Sequence, residues 1–351
     1  MSTENNAPTS ERRGRIIMYL LWLVPVGMLA LVVSIGVSAL KIEPPARLPG
    51  ASATTGAFPR TITEPSGRQV VIPARPERVF IGEAGSADVL SEILDPKRIA
   101  AWPFTVDKWA GNQAYFAAHP EVKRFQAFNA ETVLSYKPDL VLCAAFQDAG
   151  TIAAIHEAKV PMLRLEAFHS WDGIRSWIEA LGAAVGEEEK AGKLIADCET
   201  RLAAVEKAVA GRAKPRVLAY SNHGGNGSAV GSGETQDEVI RRAGGINAAA
   251  ETGMKGFGPF TFEQMLKLKP DVILVTGSDG LNSRGAQFLL KEPLLAELPA
   301  IKEKRIVVLP SKYYDATTQY VVYGVELLAR QLHPDAFKAA PDAFTAKDGA
   351  K

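Results

Sequence analysis

Glu131–Leu142 reads ETVLSYKPDLVL, and Glu263–Leu274 reads EQMLKLKPDVIL. At an offset of 132 residues, six of the twelve positions are identical and three more exchange one apolar residue for another. The pattern has a physical meaning. An acid opens a short helix that carries Leu134 or Leu266 on its buried face. Lys137 or Lys269 closes it, placing a cation at the carbonyl end of the helix dipole. Pro138 or Pro270 prevents a further turn. The Asp after it leads into Leu140–Leu142 or Val272–Leu274, apolar runs short enough to be buried parallel strands. One helix–turn–strand unit at matching places in two halves predicts an α/β protein of two similar lobes.

Outward from the first unit, Thr61–Thr63 and Val70–Ile72 predict a hairpin around Ser66-Gly67, and Arg78–Ile81, Ile99–Trp102 and Val160–Leu165 predict further strands. Helices are expected over Ser86–Leu94 and Ala149–Ala158 between them. Around the second unit, Arg216–Tyr220 and Arg305–Leu309 read as strands, Gln236–Ala243 as a helix closed by Gly244-Gly245, and Thr318–Leu332 as a last helix. Between the halves, Ala191, Leu194, Ile195, Cys198, Leu202, Val205 and Val209 recur at three- and four-residue steps. They predict one unbroken helix from Glu187 to Gly211, about 36 Å long. The predicted organisation is a cytoplasmic N-terminus (1–15), an anchor (16–40), a flexible linker (41–60), an N-terminal lobe (61–185), an interlobe helix (186–211), a C-terminal lobe (212–337) and a disordered tail (338–351).

The anchor is read from Ile16–Leu40, 25 residues without a charge, enough to span the roughly 30 Å of a bilayer core. Arg12, Arg13 and Arg15 before it should stay in the cytoplasm, which places the remainder outside. A cleaved signal peptide is the rival reading, with Val37-Ser38-Ala39 as cleavage site, although signal h-regions are only about 7–15 residues. No cysteine lies near residue 40, which argues against a lipid-modified N-terminus. Four prolines and two glycines in Lys41–Arg60 predict an extended tether.

At 351 residues, 47% hydrophobic and 23% charged, the chain can bury real cores, and its formal charge of +1 gives no reason to expect nucleic acid. Cys143 and Cys198, the only cysteines, fall at apolar positions, and no Cys/His spacing forms a metal cage.

Taken in order, PERVFIG at 76–82, the twin E-x-x-L-x-x-K-P-D units, the long helix, DEVIRRAGGIN at 237–247 and PLLAELPAIKEKRIVVLP at 293–310 resemble the periplasmic substrate-binding proteins that serve importers of cobalamin, ferric siderophores and haem. The resemblance covers Thr61–Pro334. It implies two Rossmann-like lobes joined by a single long rigid helix, with the ligand in the cleft between them and little closure on binding. It further implies a non-enzymatic receptor at the extracytoplasmic face, without an intrinsic cofactor, that delivers a metal chelate to an ABC permease dimer driven by a cytoplasmic ATPase. GSADVLSEIL at 85–94 departs from the family's pattern, which usually places an acid and then Leu-Gly after the first strand.

The resemblance also assigns roles. Glu131 and Glu263 align with the two surface glutamates that dock onto permease arginines; read alone, they are acids favoured in a helix first turn behind the N-caps Asn129 and Thr261. Phe125 and Phe257, each six residues before those glutamates, match aromatics that flank the ligand in the cobalamin-binding member. Trp102, Trp109, Tyr313 and Tyr314 come after predicted strands, at the edge where α/β sheets bind ligands, and otherwise would pack the lobe edges. Tyr313 and Tyr314 are adjacent, and both are not expected to face one core. His223 and His169 come after strands as well; as neutral imidazoles they suit haem iron or a bare metal, or are solvated surface groups. Asn222–Gly233, rich in glycine, lacks the Lys-Ser/Thr of a P-loop and reads as a mobile loop at the cleft edge. A chelatase-like enzyme is the competing class, with His223, Asp315 and Glu83 as its ionisable candidates. A haem- or metal-ion-binding protein of the same fold is the other alternative.

Overall fold

The computed structural model describes residues 50–53, 56–166, 168–222 and 227–337. The anchor run, His223 and the tail from 338 lie outside the described residues, and no described helix is long and apolar enough to cross a membrane. The described residues pack as one compact unit.

That unit opens with a small antiparallel sheet of β1 (Ser52–Ala53), β2 (Arg60–Thr63) and β3 (Gln69–Ile72), turning at Gly67 with φ 84°. The tether expected over 41–60 is therefore shorter: Ala51 is buried, its N–H donates to Ser176 Oγ at 3.1 Å, and β1 pairs with β2. Arg60 is buried too, donating to Ala183 O at 2.5 Å and pairing with Glu188 at 2.7 Å. Glu64 and Arg68 reach across from the hairpin to Arg164 N (2.7 Å) and Met162 O (2.8 Å), covering an edge strand that would otherwise be open.

The first half continues through β4 (Val79–Ile81), α1 (Ala84–Ile93), β5 (Ile99–Pro103), α2 (Val106–Trp109), α3 (Gln113–Ala118), β6 (Lys123–Phe125), α4 (Ala130–Ser135), β7 (Leu140–Ala144), α5 (Ala149–Glu157) and β8 (Met162–Leu165). Its sheet is parallel with order β6-β5-β4-β7-β8. Every residue of β4 and β7 is buried, as helices on both faces require. The strand order reverses at β4, so the crevice for a ligand opens beside the carboxyl ends of β4 and β7.

Helices α6 (Trp171–Val185) and α7 (Glu188–Val209) link the halves. Gly186, at φ 71°, ends α6 in the left-handed region and lets the chain start α7 two residues later. α7 is uninterrupted over 22 residues, about 33 Å. It buries Ala191, Ile195, Cys198, Leu202 and Val205. That stripe packs against α1 and α6 on one side of the sequence and against later helices on the other.

The second half contains β9 (Arg216–Asn222), β10 (Gly227–Val230), α8 (Thr235–Arg242), β11 (Ile246–Asn247), α9 (Ala248–Glu251), β12 (Phe257–Pro259), α10 (Phe262–Leu268) and β13 (Val272–Thr276). It ends with α11 (Arg284–Leu290), α12 (Pro299–Lys302), β14 (Ile306–Leu309), α13 (Ser311–Tyr314) and α14 (Val321–Leu332). Its sheet, separate from the first, runs β12-β10-β9-β13-β14, with β11 alongside the start of β9. The expectation of a mobile loop over Asn222–Gly233 is corrected by this sheet: residues 227–230 are strand β10, paired with β9 and β12. Gly227 is required, because a Cβ there would collide with the Tyr220 ring.

The duplicated unit is built alike in both halves. Asn129 and Thr261 cap α4 and α10 by accepting from Thr132 N (2.8 Å) and Gln264 N (3.2 Å). Lys137 and Lys269 take φ of 49° and 50°, left-handed stops before the prolines. Arg78 then donates to Tyr136 O (2.7 Å), and Arg216 donates to Leu268 O (2.9 Å), satisfying the helix-end carbonyls. Asp139 and Asp271 accept in return from Arg78 N (2.9 Å) and Arg216 N (2.8 Å). The buried helix positions are Val133 and Met265; Leu134 and Leu266 are only half-buried, one position further round the helix.

Candidate functional site

β4 runs into α1 and β14 runs into α13, and the carboxyl ends of these two strands face a common cleft of about 320 Å³. From the first half, Gly85 and Asp88 of α1 form its floor and Lys108 and Trp109 of α2 one wall. From the second half, Ser311, Lys312 and Asp315 at α13 supply the other wall, continued by the segment 316–318.

Glu83 is the N-cap of α1 and accepts from Ser86 N at 2.7 Å; burial raises its carboxyl above the ordinary range. Asp88, one turn along, accepts the Gly111 N–H at 2.9 Å. Burial, helped by the Glu83 and Glu92 charges, pushes Asp88 up to about 7 against the pull of that hydrogen bond. Asp315 accepts from Gln236 Nε2 at 3.2 Å and from the Ser311 hydroxyl. Both acids lining the cleft are thus held by internal donors. The ammonium of Lys108 stands 5.3 Å over the Trp109 ring, and that of Lys312 stands 4.7 Å over the Tyr313 ring.

Two seams join the halves beside the cleft. At the first, Gln319 Nε2 donates to Asp88 O at 2.9 Å and the Tyr320 hydroxyl donates to Glu92 at 3.0 Å. Tyr320 lies so close to Gly111 that any Cβ there would enter its ring. At the second, Thr235 Oγ1 donates to Phe168 O (3.0 Å), Trp171 N donates to Glu238 (2.9 Å), and His169 Nδ1 meets Glu234 at 3.1 Å.

Against this geometry several expected ligand contacts must be corrected. Trp102 is fully buried, edge-on to Phe116 at 4.9 Å. Phe125 is buried on Phe80 with ring centroids 4.6 Å apart. Tyr313 and Tyr314 are both buried after all, because they leave α13 in different directions: Tyr313 stacks on Tyr323 at 5.6 Å, and Tyr314 joins the main core. Trp109, 61% exposed, lines the cleft. Phe257 is equally exposed but sits on edge strand β12, opposite Val230 and away from the carboxyl edge. His169 belongs to the seam, and Glu131 and Glu263 are exposed in the first turns of α4 and α10.

Residues that sequence reasoning missed include Lys108, Lys312 and Phe146. Phe146 is 89% exposed two residues beyond β7, beside the strand-order reversal. A phenylalanine directly after an apolar run that ends at a carboxyl edge was the available signal. Lysines carry no such signal, since their surface positions look alike in sequence.

A family model described as periplasmic binding protein matches residues 79–313. An uncharacterized ABC transporter substrate-binding lipoprotein of Bacillus subtilis, YvrC, is 25% identical over 299 residues, covering 82% of this chain and 90% of that relative. A cobalamin-binding protein of Halobacterium salinarum is 23% identical over 311 residues, covering 87% and 82%. Among solved structures, the apo form of the periplasmic haem-binding protein RhuT from Roseiflexus sp. RS-1 superposes with a TM-score of 0.62 at 25% identity, covering 74% of this chain and 99% of that one. On a match spanning most of both halves, this chain belongs to the periplasmic binding protein family.

Proposed function

We propose that this protein is an extracytoplasmic solute receptor that captures a metal chelate and delivers it to an ABC importer. The observation that carries this reading is the cleft between two separate sheets, one parallel and one mixed, formed at the carboxyl ends of β4 and β14 and flanked by two hydrogen-bonded seams. Relatives named for substrate binding, cobalamin and haem support it. A corrinoid or a ferric siderophore is favoured, with haem next. At about 320 Å³ the cleft is at the low end of ligand sites, roughly 300–1,000 Å³, so a corrinoid would seat only one edge. Trp109 is the aromatic wall, with Phe146 at the neighbouring strand end. The protein itself is non-catalytic; energy comes from the partner ATPase. The uncharged run 16–40 is its membrane anchor.

Thermal-shift titration with cobalamin, haemin and several ferric siderophores tests the reading, and a flat response to every chelate would overturn it. If haem is the ligand, an absorption spectrum of wild type against His223→Ala shows whether that imidazole reaches the iron. Glu131 and Glu263, exposed at matching helix starts, are the permease-docking pair. Reversing both charges should abolish chelate import in cells while leaving binding affinity intact.

A further inference from the structure

The cleft wall that carries Trp109 is built on very little. α2 is a single turn of four residues, and its N-cap Thr105 makes no side-chain bond. So short a helix does not persist unaided, and its position is set from outside. In front of it, Phe104 N donates to Phe125 O at 3.0 Å. Two side-chain ties are exposed, Arg124 to Asp107 at 2.8 Å and Gln113 Nε2 to Lys108 O at 2.6 Å. A further tie is buried. Asp88, on the cleft floor, accepts the Gly111 N–H through both carboxyl oxygens, at 2.9 and 3.0 Å, two residues beyond Trp109. The second half meets the same point. Gln319 Nε2 donates to Asp88 O at 2.9 Å, and the Tyr320 ring lies over Gly111 so tightly that no Cβ fits. Asp88, Gly111, Gln319 and Tyr320 are all buried.

From this arrangement we infer that Asp88 is a positioning residue of the ligand cleft: it pins the Trp109 wall to the floor and, through Gln319 and Tyr320, ties that wall to the second half. The inference rests on the receptor reading, in which Trp109 meets the ligand, and adds the residue that aims it. A contact surface is precise only when the shell behind it is locked. Asp88 also gives a use to GSADVLSEIL at 85–94, the stretch that departs from the family's pattern. A buried carboxyl raised to about 7 burdens stability near neutral pH, as befits a group kept for what it holds rather than for the fold. Around it stand Glu83 and Glu92 on its own helix, Lys108 on α2, and Lys312 and Asp315 on α13, with the Tyr320 hydroxyl bonded to Glu92.

Fluorine NMR of the full chain in detergent, labelled with fluorotryptophan, tests this without any ligand. The Trp109 line is identified by its loss in Trp109→Phe. Asp88→Ala should shift and broaden that line, while the lines of Trp171 and Trp177 on α6 stay in place. Asp88→Asn keeps an oxygen for Gly111 and should preserve the wild-type line. In wild type the Trp109 line should move as pH passes about 7, and in Asp88→Asn that movement should vanish. Haemin and cyanocobalamin then serve as binding probes. Whichever binds should lose about tenfold in affinity in Asp88→Ala and stay within about twofold in Asp88→Asn. Adding Asp88→Ala to Trp109→Ala should cost nothing more, since Asp88 acts through that ring. The inference is overturned, and the receptor reading left standing, by a Trp109 line indifferent to Asp88→Ala or by losses that add in the double variant. A titration absent from wild type, or persisting in Asp88→Asn, overturns it equally, and this pH profile decides alone if Asp88→Ala does not fold. Binding of neither probe counts against the receptor reading, and the fluorine lines still judge Asp88.

Discussion

The two halves carry the same helix–turn–strand unit but lead the chain into it differently. In the first, the chain arrives by β6, a parallel edge strand whose last residue, Phe125, is buried on Phe80. In the second it arrives by β12, an antiparallel strand whose first residue, Phe257, is 61% exposed. The unit itself is matched group for group: a left-handed lysine, a buried proline, an aspartate, and an arginine at the start of the sheet's first strand, Arg78 just before β4 and Arg216 opening β9. Duplication has kept the part that stitches helix to sheet, where each hydrogen bond depends on the others. The approach to it has drifted, because an edge strand has only one neighbour to satisfy.

The largest expected effect breaks the apparent equivalence of the two phenylalanines. Phe125→Ala removes a buried ring and should cost about 3–5 kcal/mol, whereas Phe257→Ala should lie within about 0.5 kcal/mol of wild type. Urea unfolding of both variants measures the difference. Similar losses would mean that β12 is covered as β6 is.

A second contrast concerns the buried acids of α1 and α8. Asp237 is held by Asn247 Nδ2 at 3.0 Å and by Arg241 at 3.2 Å. Asp88 has the Gly111 and Asn112 N–H groups, the like charges of Glu83 and Glu92, the Gln319 and Tyr320 side chains on the seam, and Lys108 on the cleft wall of the same half. Its carboxyl lies at about 7 in the fold against an ordinary 3.8, so the native state holds a proton that the unfolded chain has released. Stability therefore declines as pH rises from about 4 through 7 and is level above. Asp88→Asn should remove that decline and gain a few kcal/mol at most at pH 8, relative to wild type. Unchanged pH dependence in the variant would place the titrating group elsewhere.

The stitch itself gives intermediate effects. Asp139 accepts from both Glu77 N (2.7 Å) and Arg78 N (2.9 Å), Asp271 from Arg216 N (2.8 Å). Replacing either with Ala should cost about 1–3 kcal/mol, with Asp139 the more costly. Equal and negligible losses would show water replacing both carboxylates.

These contrasts also mark where the sequence stops being legible. The twin units, α7 and the parallel strands are written in local periodicity and in residues with one conformational use, such as Pro138 and Pro270. The arginine stitch was present as Arg78-Val79 and Arg216-Val217, but its partners lie 58 and 52 residues away, Tyr136 and Leu268, and nothing local names them. The cleft aromatics failed for a related reason. Trp102, Phe125, Tyr313 and Tyr314 do sit at strand ends or just past them, as expected, yet whether a ring turns to the cleft or the core depends on which helix packs there. β10 was hidden because its glycine makes room for Tyr220 rather than for motion.

The smallest effect tests whether the halves are equivalent where they look so. Lys137 and Lys269 hold left-handed φ values of 49° and 50°, a region that costs a residue with a Cβ roughly 1–2 kcal/mol. Glycine escapes that cost but gives back part of it through the freer unfolded chain. Lys137→Gly and Lys269→Gly should therefore each raise stability by about 0.5–1 kcal/mol. The sites share no partners and belong to different sheets, so the double variant should gain the sum within about 0.5 kcal/mol. Thermal denaturation of the three variants decides it. Unequal gains would mean that one lysine side chain contributes a contact the other lacks, and that the resemblance of the two turns is only in the backbone.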